Sequence, residues 1–254
     1  MTSLFLLTSL LLASCTPDMD APVIPLHQTW GLGFFLTEEH NNNVGYEWYI
    51  DQITTGEHAY VNCGPACAAM AVKWADPNFT GSAQEARNTY LPEGGWWYTS
   101  NIAAYLDDHT ISWSYWTLPN ADNMKSFLDE GNIIILCLDM YYVREVVGNT
   151  EWHKDKFYTT EAEEWGHFIV VKGYKVVDGI FWLEVYDPWS LQLRYANGIL
   201  KGRDRYYRSE DLTQAIRIWW PYMIVINKQT TKTSATPFHH HGVDPSTIIH
   251  QRGR

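Results

Sequence analysis

The chain has 254 residues, of which 46% are hydrophobic and 19% charged, which excludes a disordered polymer and suits one large domain or two small ones. Its formal net charge is −11, and the one dense basic cluster, Lys201 to Arg208, is interrupted and followed by acidic residues. A nucleic-acid binder needs clustered Lys and Arg to neutralise phosphates, so that class is set aside. The 13 Trp and 16 Tyr suffice to fill a core, and side chains of this kind also line grooves for peptides or sugars.

The start reads as an export signal. Leu4 to Leu12 is apolar over a signal-peptide length, too short to span a bilayer comfortably. It ends in Leu12-Ala13-Ser14-Cys15, which resembles the lipobox of bacterial lipoproteins, where the cysteine is lipidated and becomes the new N-terminus. An ordinary signal peptide cut nearby is the alternative. The expected division is therefore 1–15 as lipoprotein signal, 16–35 as a polar, Pro-bearing linker, 36–227 as a single domain and 228–254 as a mobile tail. The implied location is the bacterial cell envelope, with the protein exported and anchored to the membrane through lipid on Cys15. The His239–His241 run in the tail has no Cys or carboxylate cluster beside it and is read as incidental.

Along the body, Tyr46 to Gln52 alternates loosely and predicts a short strand, followed by a loop from Thr54 to Val61. Asn62 predicts a helix N-cap, with Pro65 in the first turn, where its missing N–H costs nothing. Cys67, Met70, Ala71 and Trp74 then form an apolar stripe at helical spacing, ended by Asp76-Pro77-Asn78. Ser82 to Thr89, Thr99 to Asp107 and Asn120 to Gly131 are further helices, and Ile133 to Leu138 is a buried strand. A long loop covers Thr150 to Glu164. Phe168 to Tyr174 and Ile180 to Tyr186 are β-branched and aromatic runs joined at Asp178-Gly179, a strong hairpin signal. A short helix over Asp211 to Ile216 and a strand over Pro221 to Ile226 close the domain. The class is α+β, with helices mainly in the N-terminal half and antiparallel strands in the C-terminal half.

With Cys15 set aside, Cys63, Cys67 and Cys137 remain, and an odd count in an exported protein leaves a free thiol. No second Cys pair accompanies Cys63 and Cys67, so a zinc site fits poorly, and no metal or cofactor is expected. Cys63 sits at a helix start, where unpaired N–H groups and the helix dipole favour a thiolate; Cys67 falls on the apolar stripe and reads as packing. His167 opens the first strand of the hairpin and Asp187 follows the second. A turn spanning Val176 to Gly179 would set them almost opposite each other, a carboxylate orienting a His base.

The order Cys, His, Asp in "NCGPACAAM", "GHFIVVKGY" and "VYDPW" resembles the papain-like peptidases of the double-glycine leader (bacteriocin-processing) family and their stand-alone relatives, over Tyr46 to Ile226. The resemblance implies a papain-like fold, with Cys63 as nucleophile, His167 as base, Asp187 as orienting residue, and a peptide or protein substrate. Relatives also carry a glutamine upstream whose amide helps bind the oxyanion. Gln52 is the candidate, provided the loop Ile53 to Val61 folds back. An acyl transferase or amidase of the transglutaminase-like type would use the same residues, and a binding protein on the same fold would leave them idle.

Overall fold

The computed structural model describes residues 30–146, 148 and 151–228. Strand β1 (Leu36–Asn41) precedes three helices, α1 (Cys63–Ala75), α2 (Ala83–Tyr90) and α3 (Thr99–Asp108). Strand β2 (Trp113–Thr117) and helix α4 (Ala121–Asp129) lead to β3 (Ile133–Asp139). The hairpin β4 (Gly166–Val177) and β5 (Ile180–Tyr186), then β6 (Arg205–Arg208), α5 (Ser209–Trp219) and β7 (Tyr222–Ile226), complete the order. The strands form one antiparallel sheet in the order β2-β7-β3-β4-β5-β6, with β1 paired to the C-terminal half of β4. The α+β class expected from the sequence is the class observed.

The sheet carries helices on both faces, which explains why β3 is an unbroken apolar run. Ile133, Ile135 and Cys137 join the cluster built with α1 and α3, while Ile134, Leu136 and Leu138 join the one built with α4 and α5. Helix α1 is the centre of the first cluster. The sequence predicts a single apolar stripe there, yet every residue except Lys73 and Ala75 is buried. A helix buried on all sides needs small residues where neighbours come close. Ala66 and Ala69 pack against Ala83 of α2, and a Cβ on Gly64 would lie 2.7 Å from the Cβ of Trp97.

Several local expectations are corrected. Tyr46 to Gln52 is not a strand: Trp48 and Tyr49 are both buried, so there is no alternation, and a 3-10 turn begins at Gln52. Strands β1, β2 and β6 were not legible, being short and half polar. The helix over Asp211 to Ile216 and the strand over Phe168 to Tyr174 extend at both ends. The packed body reaches back into the segment expected to be linker, because Leu32 is buried with Val177, Trp182 and Tyr206.

The hairpin register also differs. Asp178 and Gly179 alone make the turn, both at positive φ, and Val177 pairs with Ile180. Continued regularly, that register would set Val170 opposite Asp187. Between Val171 and Gly173 the register shifts by one, with Lys172 the extra residue, so Val170 pairs with Tyr186 instead. This bulge turns the first part of β4 over. Ile169 and Val171 share a cluster with Leu183 and Val185, and by strand alternation His167 and Asp187 follow onto that same side.

Candidate active site

His167 and Asp187 meet at the end of the sheet. The ring Nε2 lies 2.7 Å from Asp187 Oδ1. They are diagonal rather than directly opposite, the bulge having replaced the register read from the sequence. Asp187 is fully buried and collects three further donors: the Tyr158 hydroxyl at 2.9 Å, the Tyr207 hydroxyl at 2.6 Å and the Trp189 backbone N–H at 2.9 Å. Burial alone would raise its carboxyl pKa. The charge of His167 and the hydrogen bonds from the ring, Tyr207 and Trp189 outweigh burial and hold it below the usual carboxylate value. Burial and the neighbouring carboxylate push both tyrosines well up, so they remain protonated donors.

Burial likewise opposes a charged imidazole. The Asp187 charge and hydrogen bond, and then Cys63, outweigh it and push His167 up from 6.5 to about 10. Nε2 is committed to Asp187, which leaves Nδ1 for Cys63, the next group acting on the ring. Cys63 is the first residue of α1 and 3% exposed, at a helix end whose opening N–H groups have no intrahelical acceptor. Cys67, one turn along, is fully buried, and burial raises its thiol well above the ordinary value. Among the described residues, Cys63, Cys67 and Cys137 form no disulfide.

Gln52 is buried, and its backbone N–H donates to Pro188 O at 2.8 Å, tying it to the segment after Asp187. Its side-chain Nε2 donates to Ala59 O at 2.9 Å. Ala59 begins a 3-10 turn that ends at Val61, so the loop Ile53 to Val61 does fold back and brings Gln52 beside the entry to α1. Among the described residues, one N–H of the amide is left over and the buried Oε1 finds no partner.

Supporting residues were not legible in the sequence. Asp139 accepts from the backbone N–H groups of Glu164 at 2.7 Å and Trp165 at 3.1 Å, fixing the loop that enters β4 at His167. Tyr49 donates to Asp187 O at 2.7 Å, and a Cβ on Gly202 would lie 2.0 Å from that same carbonyl. Asn62 is the N-cap position, but its side chain does not cap the helix. Its amide donates to Thr55 O and Oγ1, and its oxygen accepts from Arg87 Nε at 2.7 Å. Asn62 is therefore a brace for the turn before Cys63. Among the described residues, no cluster of three or more His, Cys, Asp or Glu side chains could hold a metal ion. Cys15 and the histidine run lie outside the described residues.

No family model matches the chain, and no curated protein matches it. Among solved structures, one described as a C39-like peptidase from Bacillus anthracis superposes with a TM-score of 0.50 at 13% identity, covering 77% of this chain and all of that one. A structure from work on the mite allergens Blo t 1 and Der p 1 matches at 13% identity over 82% of this chain and 76% of that one, with a TM-score of 0.42 that carries no argument. At this identity the first likeness is one of fold: the chain shares the mixed helix-and-antiparallel-sheet architecture of that structure.

Proposed function

We propose that this chain is a thiol peptidase that cleaves peptide bonds with Cys63, His167, Asp187 and Gln52. The observation that carries the reading is the buried His167–Asp187 pair at 2.7 Å with the first residue of α1 as the ring's other neighbour. In this mechanism the resting site is an ion pair, with the thiol proton already on His167 Nδ1, and the Cys63 sulfur attacks the substrate carbonyl. The Cys63 backbone N–H and the spare N–H of Gln52 receive the oxyanion. The imidazolium, steadied by Asp187 through Nε2–H, gives its proton to the leaving amine, and the acyl group stays on sulfur as a thioester. His167 then takes a proton from water, hydroxide attacks the thioester, and the acid product leaves with Cys63 restored.

Aromatic side chains border the segments involved. Tyr60, 71% exposed, meets Trp189 edge-on at 5.7 Å, one preceding Cys63 and the other following Asp187. Such a rim suits a polypeptide substrate. Export and lipid anchoring through Cys15 belong to the same proposal and rest on the N-terminal sequence alone.

The test is single-turnover acylation by a small activated ester or peptide. Cys63→Ala and His167→Ala should each cost orders of magnitude, and the double variant little more, because the two act as a unit. Gln52→Ala should cost about 10²–10³. Strictly additive losses would remove the catalytic reading. An acyl-enzyme that passes its acyl group to added amines far faster than to water would assign acyl transfer instead of hydrolysis.

A further inference from the structure

Arg87 lies on α2, in a stretch, "AQEARNTY", whose polar composition reads as a solvated face. It is instead fully buried. Its Nε donates to Asn62 Oδ1 at 2.7 Å, one terminal nitrogen to Val61 O at 3.0 Å and the other to Leu91 O at 3.3 Å. The Trp97 ring, itself 4% exposed and packed against Gly64, covers the guanidinium at 5.8 Å.

These partners are all neutral. Among the described residues no carboxylate forms an ion pair with Arg87. A guanidinium does not lose its proton in proteins, and a buried charge without a counter-charge is costly. Arg87 therefore sits as a cation behind the first turn of α1, holding the two residues that precede Cys63. The ionisable groups that act on it are Cys63 and the exposed Glu93, while burial works against its charge. Glu85, on the same helix, is occupied with the Ser82 cap.

We propose that Arg87 is a positioning residue for the thiol chemistry: beside the His167 imidazolium it is a second buried counter-charge for a Cys63 thiolate, and its grip on Val61 and Asn62 fixes the backbone that presents Cys63. The inference rests on the peptidase reading above. It assigns two separable tasks to one side chain. The charge favours the thiolate, and the fork of donors sets geometry that an ammonium cannot reproduce.

The experiment uses the full chain and reads alkylation of Cys63 by iodoacetamide at pH 6 and pH 9, on the isolated peptide, beside single-turnover acylation. Circular dichroism checks the fold. Arg87→Met should lower the pH 6 rate, relative to that at pH 9, by about tenfold or more, the scale set by removing an opposite charge close by. Arg87→Lys should restore that ratio to within about threefold while acylation stays depressed, because the bonds to Asn62 and Val61 are lost. Asn62→Asp, which gives the guanidinium a rival anion, should lower the ratio as Arg87→Met does and keeps the test open if that variant does not fold.

A folded Arg87→Met or Asn62→Asp variant with an unchanged ratio overturns the counter-charge role. Equal acylation by wild type and Arg87→Lys overturns the positioning role. A wild-type protein with no acylation at all overturns the peptidase reading and this inference with it, a result distinct from either of the others.

Discussion

Asp187 is buried without exposure and met by four donors, so its charge is held by satisfied hydrogen bonds rather than by solvent. His167 is raised to about 10 by that carboxylate, and the sign of the consequence follows from linkage. The native state binds the imidazole proton more tightly than the unfolded chain does. Its stabilisation is fully present below pH 6.5 and is lost as pH rises toward 10. Thermal unfolding followed across that window should show stability falling by on the order of a few kcal/mol, and His167→Gln should flatten the fall. An unchanged slope in the variant would mean that the ring is not charged in the native protein. Cys67 makes the opposite case. It is fully buried and packed, so Cys67→Ala should leave acylation intact and cost roughly 1 kcal/mol in denaturant unfolding. Lost acylation in a folded Cys67→Ala protein would mean that the two cysteines are assigned the wrong way round.

The bulge at Lys172 is the element on which the site turns. Were Lys172 paired in regular register instead of left as the extra residue, strand alternation would point His167 and Asp187 to opposite faces of the sheet. Lys172 is itself fully buried, paired with Glu184 and 2.9 Å from Asp204, with its ammonium over the Tyr186 ring at 4.9 Å. Two variants separate its roles. Lys172→Met keeps the extra residue and removes only its buried ammonium. It should cost about 3–5 kcal/mol of stability by stranding buried carboxylates, yet retain acylation wherever it is folded. Deleting Lys172 removes the ammonium and the bulge together but leaves Val171 opposite Val185 and Gly173 opposite Glu184 as consecutive regular pairs, so His167 keeps its facing and folded deletion protein, as judged by circular dichroism, should also retain acylation. Acylation lost in a folded deletion protein but kept in Lys172→Met would show that the bulge itself, and not only the register beyond it, is needed by the site.

On the scale of the whole molecule, the sheet with helices on both faces presents Cys63 from a buried helix and His167 and Asp187 from strand ends. The segments before Cys63 and after Asp187 are stitched together by the Gln52–Pro188 backbone bond and by Tyr49. Among the described residues no helix is long and apolar enough to cross a membrane; the proposed lipid anchor on Cys15 has its own test. Cys15→Ala should release the protein from the membrane fraction and remove lipid mass from the N-terminal peptide. Unchanged partitioning, with no lipid on that peptide in the wild type, would refute the anchor.

Local signals were enough to determine the helix at Cys63, the Asp178-Gly179 turn, the two-sided burial of Ile133 to Leu138 and the candidacy of Cys63, His167 and Asp187. Each depends on the chemistry of neighbouring residues: a proline in the first turn, positive φ at a tight turn, apolar runs of strand length. Gln52 was legible only as a candidate, because its approach depends on how the ten residues between it and Cys63 fold back. Tertiary structure alone decided the rest. A one-residue bulge leaves no mark in composition, yet it sets the facing of everything beyond it. Arg87, Tyr158, Tyr207 and Asp139 are polar residues in polar or aromatic surroundings, and nothing local separates a buried brace from a solvated side chain. That distinction is made by distant segments packing over them, which removes water and leaves each polar group dependent on the partner it finds.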